Sequence, residues 1–169
     1  MRILALDLGT KTGFAFEADN YPLACGTLDL GGPETKAAFP DQRFFTLVDW
    51  LEKLCLGCKP DWIVYEDVQF VKSRLQAHLW ATWRAAVWLM SSKHGVKITC
   101  CPTGTLKKFA TSNGHADKAD MARALCYRPN SRFKLTNGAV IDSVTGATLD
   151  DNAVDALHLL CWAKSPPAL

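Results

Sequence analysis

An apolar run that ends in a carboxylate occurs twice in this chain, and no other feature constrains its fold as strongly. Ile3-Leu4-Ala5-Leu6-Asp7-Leu8 is apolar except for Asp7 and is followed by Gly9. A short run of this kind, bounded by glycine, reads as a buried strand. Asp61-Trp62-Ile63-Val64-Tyr65-Glu66-Asp67 is the second, a β-rich segment with its acidic residues at the far end. A carboxylate inside a buried strand carries a large desolvation cost unless something offsets it. A divalent cation would offset it, although an aspartate at a strand end can also cap its own turn. The ends of neighbouring parallel strands lie side by side in a sheet, which would let Asp7 and Glu66 share one cation.

The segments around these two runs alternate between strand and helix. Gly9 and Gly13 suit a tight turn, Thr12–Ala18 resumes a strand pattern, and Pro22–Leu30 adds a third antiparallel strand. Asp41–Leu56 places apolar residues at Phe44, Phe45, Leu47, Val48, Leu51, Leu54 and Cys55, helical spacing with one apolar face, and Gly57 and Pro60 close the helix. Phe70–His94 reads as a long helix, ended by Gly95 and apolar on more than one side. Such a helix is either wholly core or divided between the core and a second subunit, and Arg74 and Arg84 argue against wholly core. Val96–Cys101 is a further strand, followed by short helices at Leu106–Ala110 and Ala116–Cys126. Residues 127–149 read as a loop or small hairpin around the Asn137-Gly138 turn signal, with Thr145-Gly146 marking a second turn, a candidate for contact with a ligand.

The last element, from Asp150 or Asp151 to Ala163, is a helix whose start holds Asp151, Asn152 and Asp155 on one side. Like charges at that spacing repel unless a cation or a basic group lies between them. Asp7, Glu66, Asp151 and Asp155 are thus four carboxylates without a histidine-rich cluster. That donor set favours a hard cation, magnesium or manganese, over zinc or copper. Two such ions close together can drive phosphodiester hydrolysis. Lys107, Lys108, His115 and Lys118 surround the Ser112-Asn113-Gly114 loop, an arrangement that suits phosphate contact, although a solvated helix pair would look the same.

Composition narrows the class. With 169 residues, 49% apolar and 21% charged, the chain is expected to form one globular domain over residues 1–169. A net charge of +2 neither demands nor excludes nucleic acid. No apolar run is long enough for a membrane span, and Met1-Arg2-Ile3 leads straight into a strand, so a cytoplasmic setting is expected. The seven cysteines read as reduced thiols. Cys55 and Cys58 have metal-ligand spacing, but a zinc site would need a second pair, and Cys100-Cys101 is poorly placed to be one.

In this order the elements resemble the ribonuclease H-like nuclease fold, and within it the RuvC-type Holliday junction resolvases, in particular a branch found in bacteriophages. The residues that carry the resemblance are Asp7-Leu8-Gly9-Thr10 with Gly13, Tyr65-Glu66-Asp67-Val68, Leu106-Lys107-Lys108 with Asn113-Gly114-His115-Ala116-Asp117-Lys118, and Asp151-Asn152-Ala153-Val154-Asp155-Ala156-Leu157. The resemblance implies an α/β fold with a mixed five-stranded sheet and helices on both faces. It implies that Asp7, Glu66 and Asp155 are catalytic metal ligands and that Lys107 and Lys118 touch the scissile phosphate or the junction backbone. The family's fourth ligand lies three residues before the last aspartate, where this chain has Asn152; Asp151 is then the expected charged ligand, with Asn152 as alternative or helper. A homodimer on a four-way junction is implied, with Trp80, Trp83 and Trp88 suited to the dimer face. Phe70 is either a base wedge at the junction centre or a core residue at a helix start.

Other readings share parts of this pattern. A nuclease for flaps, other branched DNA or structured RNA would use the same residues. An actin-like ATPase also opens with Asp-x-Gly, but it needs two lobes and the chain supplies one. A junction-binding protein without catalysis would be expected to lose its carboxylates first.

Overall fold

The computed structural model describes residues 1–19, 21–31, 41–68 and 73–165. Its elements are β1 (Ile3–Asp7), β2 (Lys11–Ala18), β3 (Tyr21–Asp29), α1 (Gln42–Gly57), β4 (Trp62–Asp67), α2 (Arg74–His94), β5 (Lys97–Pro102), α3 (Thr103–Thr111), α4 (Lys118–Cys126), β6 (Phe133–Thr136), β7 (Ala139–Asp142), β8 (Thr148–Leu149) and α5 (Asp151–Lys164). The main sheet has the order β3-β2-β1-β4-β5. The first three strands form an antiparallel meander, whereas β4 runs parallel to β1 and β5 parallel to β4. This is the expected mixed five-stranded sheet.

Alternation along the strands divides the core into two layers. On β1, Ile3 and Ala5 pack under α5 with Val64 of β4, while Leu4, Leu6 and Leu8 pack with Ile63 and Tyr65 against α1 and α2. Strand side chains alternate between the two faces, so Asp7 falls on the Ala5 side and Glu66 on the Val64 side. Both carboxylates therefore face α5.

The helix boundaries follow from caps. Asp41 accepts from the Arg43 N–H at the start of α1, and Ser73 accepts from the Gln76 N–H at the start of α2. Ser73 itself is extended, so this helix starts at Arg74, and the expected start at Phe70 lies outside the described residues. Gly95 ends it in the left-handed conformation. Asp117 and Asp120 form a reciprocal capping box, which starts α4 at Lys118, two residues later than the periodicity suggests. The segment read as a loop or hairpin is a three-stranded antiparallel sheet, β6-β7-β8. Its strands are too short to show a period; the Asn137-Gly138 turn between β6 and β7 and the Thr145-Gly146 turn between β7 and β8 are its signals.

The tryptophans of α2 do not act together. Trp83 is only 2% exposed and belongs to the α1–α2 core layer, which removes it from any dimer face. Trp80 and Trp88 lie on the outer side with Arg84 between them. All seven cysteines are free. Among the described residues no helix is long and apolar enough to cross a membrane.

Candidate active site

The register of β1 on β4 pairs Leu6 with Tyr65, so the next step sets Asp7 beside Glu66 at the ends of two parallel strands. On its other side Asp7 pairs with Gly13 of β2, and Gly13 pairs with Thr27 of β3. Glu66, Asp7, Gly13 and Thr27 thus form one row across the sheet.

Gly13 decides where α5 lands on that row. Its φ is ordinary, so it does not serve the turn. A Cβ there would lie 1.9 Å from the Asn152 carbonyl oxygen and 2.3 Å from its carbon. The first turn of α5 therefore rests directly on the backbone of β2, an approach open only to glycine. Asp155, almost one turn further along, is carried over Asp7 and Glu66. Carboxylate oxygens of Asp7, Glu66 and Asp155 lie within 4.8 Å of one another. This is the only such acidic or metal-ligating trio among the described residues, so the cysteines form no competing zinc site.

Three carboxylates this close, partly or wholly buried, resist ionising together. Burial, with the Glu66 and Asp155 charges beside it and a hydrogen bond to Glu66, pushes Asp7 well above the usual carboxylate range. Asp155 is pushed up to about 7 by burial and by Glu66 and Asp151, against the opposing pull of Lys107 and Lys118. Without a cation, Asp7 and Asp155 are both pushed toward their protonated forms. A divalent ion replaces those protons and offsets the repulsion, and an all-oxygen donor set fits magnesium or manganese. The residues present therefore fit the metal that the sequence implies.

The other expected site residues surround this trio. Asp151 lies outside it, half-exposed and ion-paired with Lys118 at 2.6 Å. Asn152 Nδ2 lies 3.4 Å from an Asp150 oxygen. Lys118 is exposed, and Asp151 foremost, then Asp155 and Asp7, hold its ammonium charged. Lys107 Nζ donates to the Ala116 carbonyl at 2.7 Å, which ties α3 to the loop before α4. Lys108 and Asn113 are exposed beside that loop, and the Asn113 side chain accepts from the His115 N–H. Phe70 lies outside the described residues. His158, one turn beyond Asp155, is fully buried; its Nε2 sits 2.9 Å from the Met121 carbonyl, away from the trio. Burial lowers its pKa to about 4, so it stays neutral and structural.

Two contributors are not evident from the residue pattern. Asp150 caps α5 by accepting from the Ala153 N–H and also takes the Thr27 hydroxyl at 2.5 Å, which locks the helix start to β3. The Thr12 hydroxyl, fully buried, donates to the Gly9 carbonyl at 2.7 Å and pins the turn after Asp7. Asp150 was legible as a helix cap, but its bond across 123 residues to Thr27 had no local signal.

No family model matches the sequence, and no curated protein matches it. Solved structures do. RuvC of Thermus thermophilus in complex with a Holliday junction substrate aligns with a TM-score of 0.66 at 17% identity, over 94% of this chain and 90% of that one. A second Thermus thermophilus RuvC structure gives 0.60 at 17% identity, over 97% and 96%. The yeast mitochondrial Holliday junction resolvase Ydc2 gives 0.60 at 11% identity, over 94% of this chain and 75% of that one. At these identities the likeness establishes a shared fold along nearly the whole chain.

Proposed function

We propose that the chain is a metal-dependent, structure-selective endonuclease that resolves four-way DNA junctions by paired phosphodiester hydrolysis. The observation that carries this reading is the trio of mutually repelling carboxylates, built from two strand ends and helix α5 in a fold shared with junction resolvases. Asp7, Glu66 and Asp155 would hold magnesium or manganese, two ions per site. Asp151 would join them on leaving Lys118, with Asn152 as the alternative fourth ligand. Bound there, the ions would supply an activated water and stabilise the leaving oxygen.

The chain's own groups position the substrate. Lys118 sits at an exposed helix start, ion-paired with Asp151 beside the trio, and once Asp151 turns inward its ammonium would be available to a scissile phosphate. Lys107, held on the Ala116 carbonyl, lends positive charge to Asp155 without leaving its place. Lys108 and Asn113 would meet backbone phosphates further out.

Pairing of two strands calls for two sites, and α2 offers the surface for a homodimer. Leu75, Trp88 and Leu89 are exposed along it. The Arg84 guanidinium lies 4.4 Å from the Trp80 ring centre and 4.8 Å from that of Trp88. Trp80 Nε1 is shielded from solvent and has no partner among the described residues. A twofold pairing of this face would cover the exposed apolar groups and present two sites to opposed strands.

The test uses wild-type protein and Asp7→Asn with labelled four-way junction, flap and duplex, in magnesium, manganese or chelator. Symmetric metal-dependent nicks in the junction alone, absent in the variant, are expected. Equal cutting of flap or duplex would move the function to general branched-DNA processing. Junction binding without cutting in either metal would remove the enzyme reading.

A further inference from the structure

The small β6-β7-β8 sheet ends in a turn beside the start of α5, the helix that carries Asp155. Val140 of β7 pairs with Leu149 of β8, and Asp150 continues the extended backbone before α5 begins. One step further along the same ladder, Ala139 falls beside Asp150, at about 5 Å across the strands. The turn Thr136-Asn137-Gly138-Ala139 is therefore level with Asp150 and Asp151. The other end of this sheet points away: Arg132 donates to the Leu23 carbonyl, four residues below Thr27 on β3.

The turn is held firmly and is polar at its tip. Phe133, Val140 and Leu149 are buried in the same core layer as α5. Asp142, only 1% exposed, accepts from Arg132, from the Val144 N–H and from the Thr145 hydroxyl. These anchors fix a tip whose own polar groups are exposed. Asn137 and Gly138 both have positive φ, 50° and 81°, which makes a type I′ turn. Neither the Lys134 ammonium nor the Thr136 and Asn137 side chains have a partner among the described residues. Lys134 and Thr136 share the face of β6 opposite to Leu135, the face turned from the core.

We propose that the β6–β7 turn is a substrate-backbone clamp: Thr136, Asn137 and Lys134 hold a nucleic-acid phosphate next to the carboxylate trio. This rests on the nuclease reading above. It adds a positioning element built from a segment that carries none of the catalytic residues. Hydroxyl, amide and ammonium donors on a rigid turn suit phosphate oxygens and carry no base information. The acidic groups at the site repel a polyanion, so a donor group held alongside them is needed on more than one side.

The test is single-turnover cleavage of a labelled four-way junction in magnesium, read as half-saturating protein concentration and maximal rate. Asn137→Asp keeps the turn, since Asp-Gly also forms type I′, and adds a negative charge at the tip. It is expected to raise the half-saturating concentration about tenfold with the maximal rate kept within about twofold. Lys134→Ala is expected to flatten the dependence of that concentration on salt by about one unit of log–log slope. Val144→Asp, in the opposite turn at 72% exposure, makes the same charge change away from the site and should behave as wild type. Asn137→Asp with wild-type half-saturation overturns the clamp, and so does equal weakening by Val144→Asp, which would show only a general field effect. Wild-type protein that cuts no DNA removes the nuclease reading and the clamp with it. Wild-type cutting with an unaffected Asn137→Asp removes the clamp alone.

Discussion

Two sets of buried carboxylates in this molecule are treated in opposite ways. Asp142 is enclosed by the small sheet, but the protein itself supplies donors: Arg132 at 2.6 Å, the Val144 N–H at 3.0 Å and the Thr145 hydroxyl at 3.0 Å. Burial pushes its pKa up, yet these donors outweigh burial and the net shift is downward. Asp7, Glu66 and Asp155 face one another, while Lys118 is turned to Asp151 and Lys107 is held on the Ala116 carbonyl. Asp7 and Asp155 shift upward. A carboxylate served by its own chain is an anchor. A group of carboxylates left to repel one another is a receptor for something from outside, and the same physical cost identifies both.

Removing one charged group should therefore have opposite effects on stability at the two places. Asp7→Asn is expected to lower metal-dependent cleavage by about a thousandfold, roughly 4 kcal/mol of barrier. In the metal-free protein it relieves repulsion, so the melting temperature should rise, and a fall would contradict the description of the trio as frustrated. At the anchor, Arg132→Met strands Asp142 as an unpaired buried charge and should cost about 3 kcal/mol in denaturant unfolding. Adding Asp142→Asn to that variant should recover part of the loss. If the double variant is less stable than Arg132→Met alone, the ion pair is not what holds the small sheet.

The two regions also differ in how far the residues foretell them. The carboxylate site was legible because each part has a local signature: an apolar run ending in Asp7, another ending in Glu66, and a helix start crowded with Asp151, Asn152 and Asp155. The strand order joins parts whose chemistry was already marked. Gly13 reads from the sequence as a turn residue, because the contact that requires it comes from Asn152, far away in sequence. The β6-β7-β8 sheet was mostly illegible. Its strands have four, four and two residues, too few for alternation to register. Its anchor joins Arg132 to Asp142 and Leu23, a set visible only once the chain has folded. Trp83 could not be separated from Trp80 and Trp88 by composition, because one helical turn decides which side faces the core.

Gly13→Ala tests whether the trio depends on close approach rather than on its carboxylates alone. The added Cβ meets backbone, which cannot rotate aside, so α5 must lift from β2. A loss of about 2 kcal/mol in stability is expected. The more specific result is that magnesium should no longer raise the melting temperature, because Asp155 moves with the helix. An alanine variant that still responds fully to magnesium would mean that the helix start adapts without displacing Asp155.

The finest test of the contrast is pH, because the two kinds of site have opposite signs. Asp155 has a folded pKa of about 7, above its ordinary value near 4, and Asp7 is shifted the same way. Such groups favour the folded metal-free state fully below about pH 4, and that contribution is lost as pH rises through about 7. Asp142 has a lowered pKa, so its contribution is present above about pH 4 and is lost as pH falls through its folded value. Metal-free protein should thus be most stable in mild acid and weaken toward pH 8. Magnesium competes with the protons on the trio, so it should stabilise little at pH 5 and clearly at pH 8, by about 2.7 kcal/mol at a hundredfold excess over its dissociation constant. In Asp7→Asn the decline toward pH 8 should shrink, while the acid-side loss set by Asp142 stays in place. A metal-free stability profile that instead rises from pH 5 to pH 8 would mean that the trio is served from within, as Asp142 is, and is no receptor.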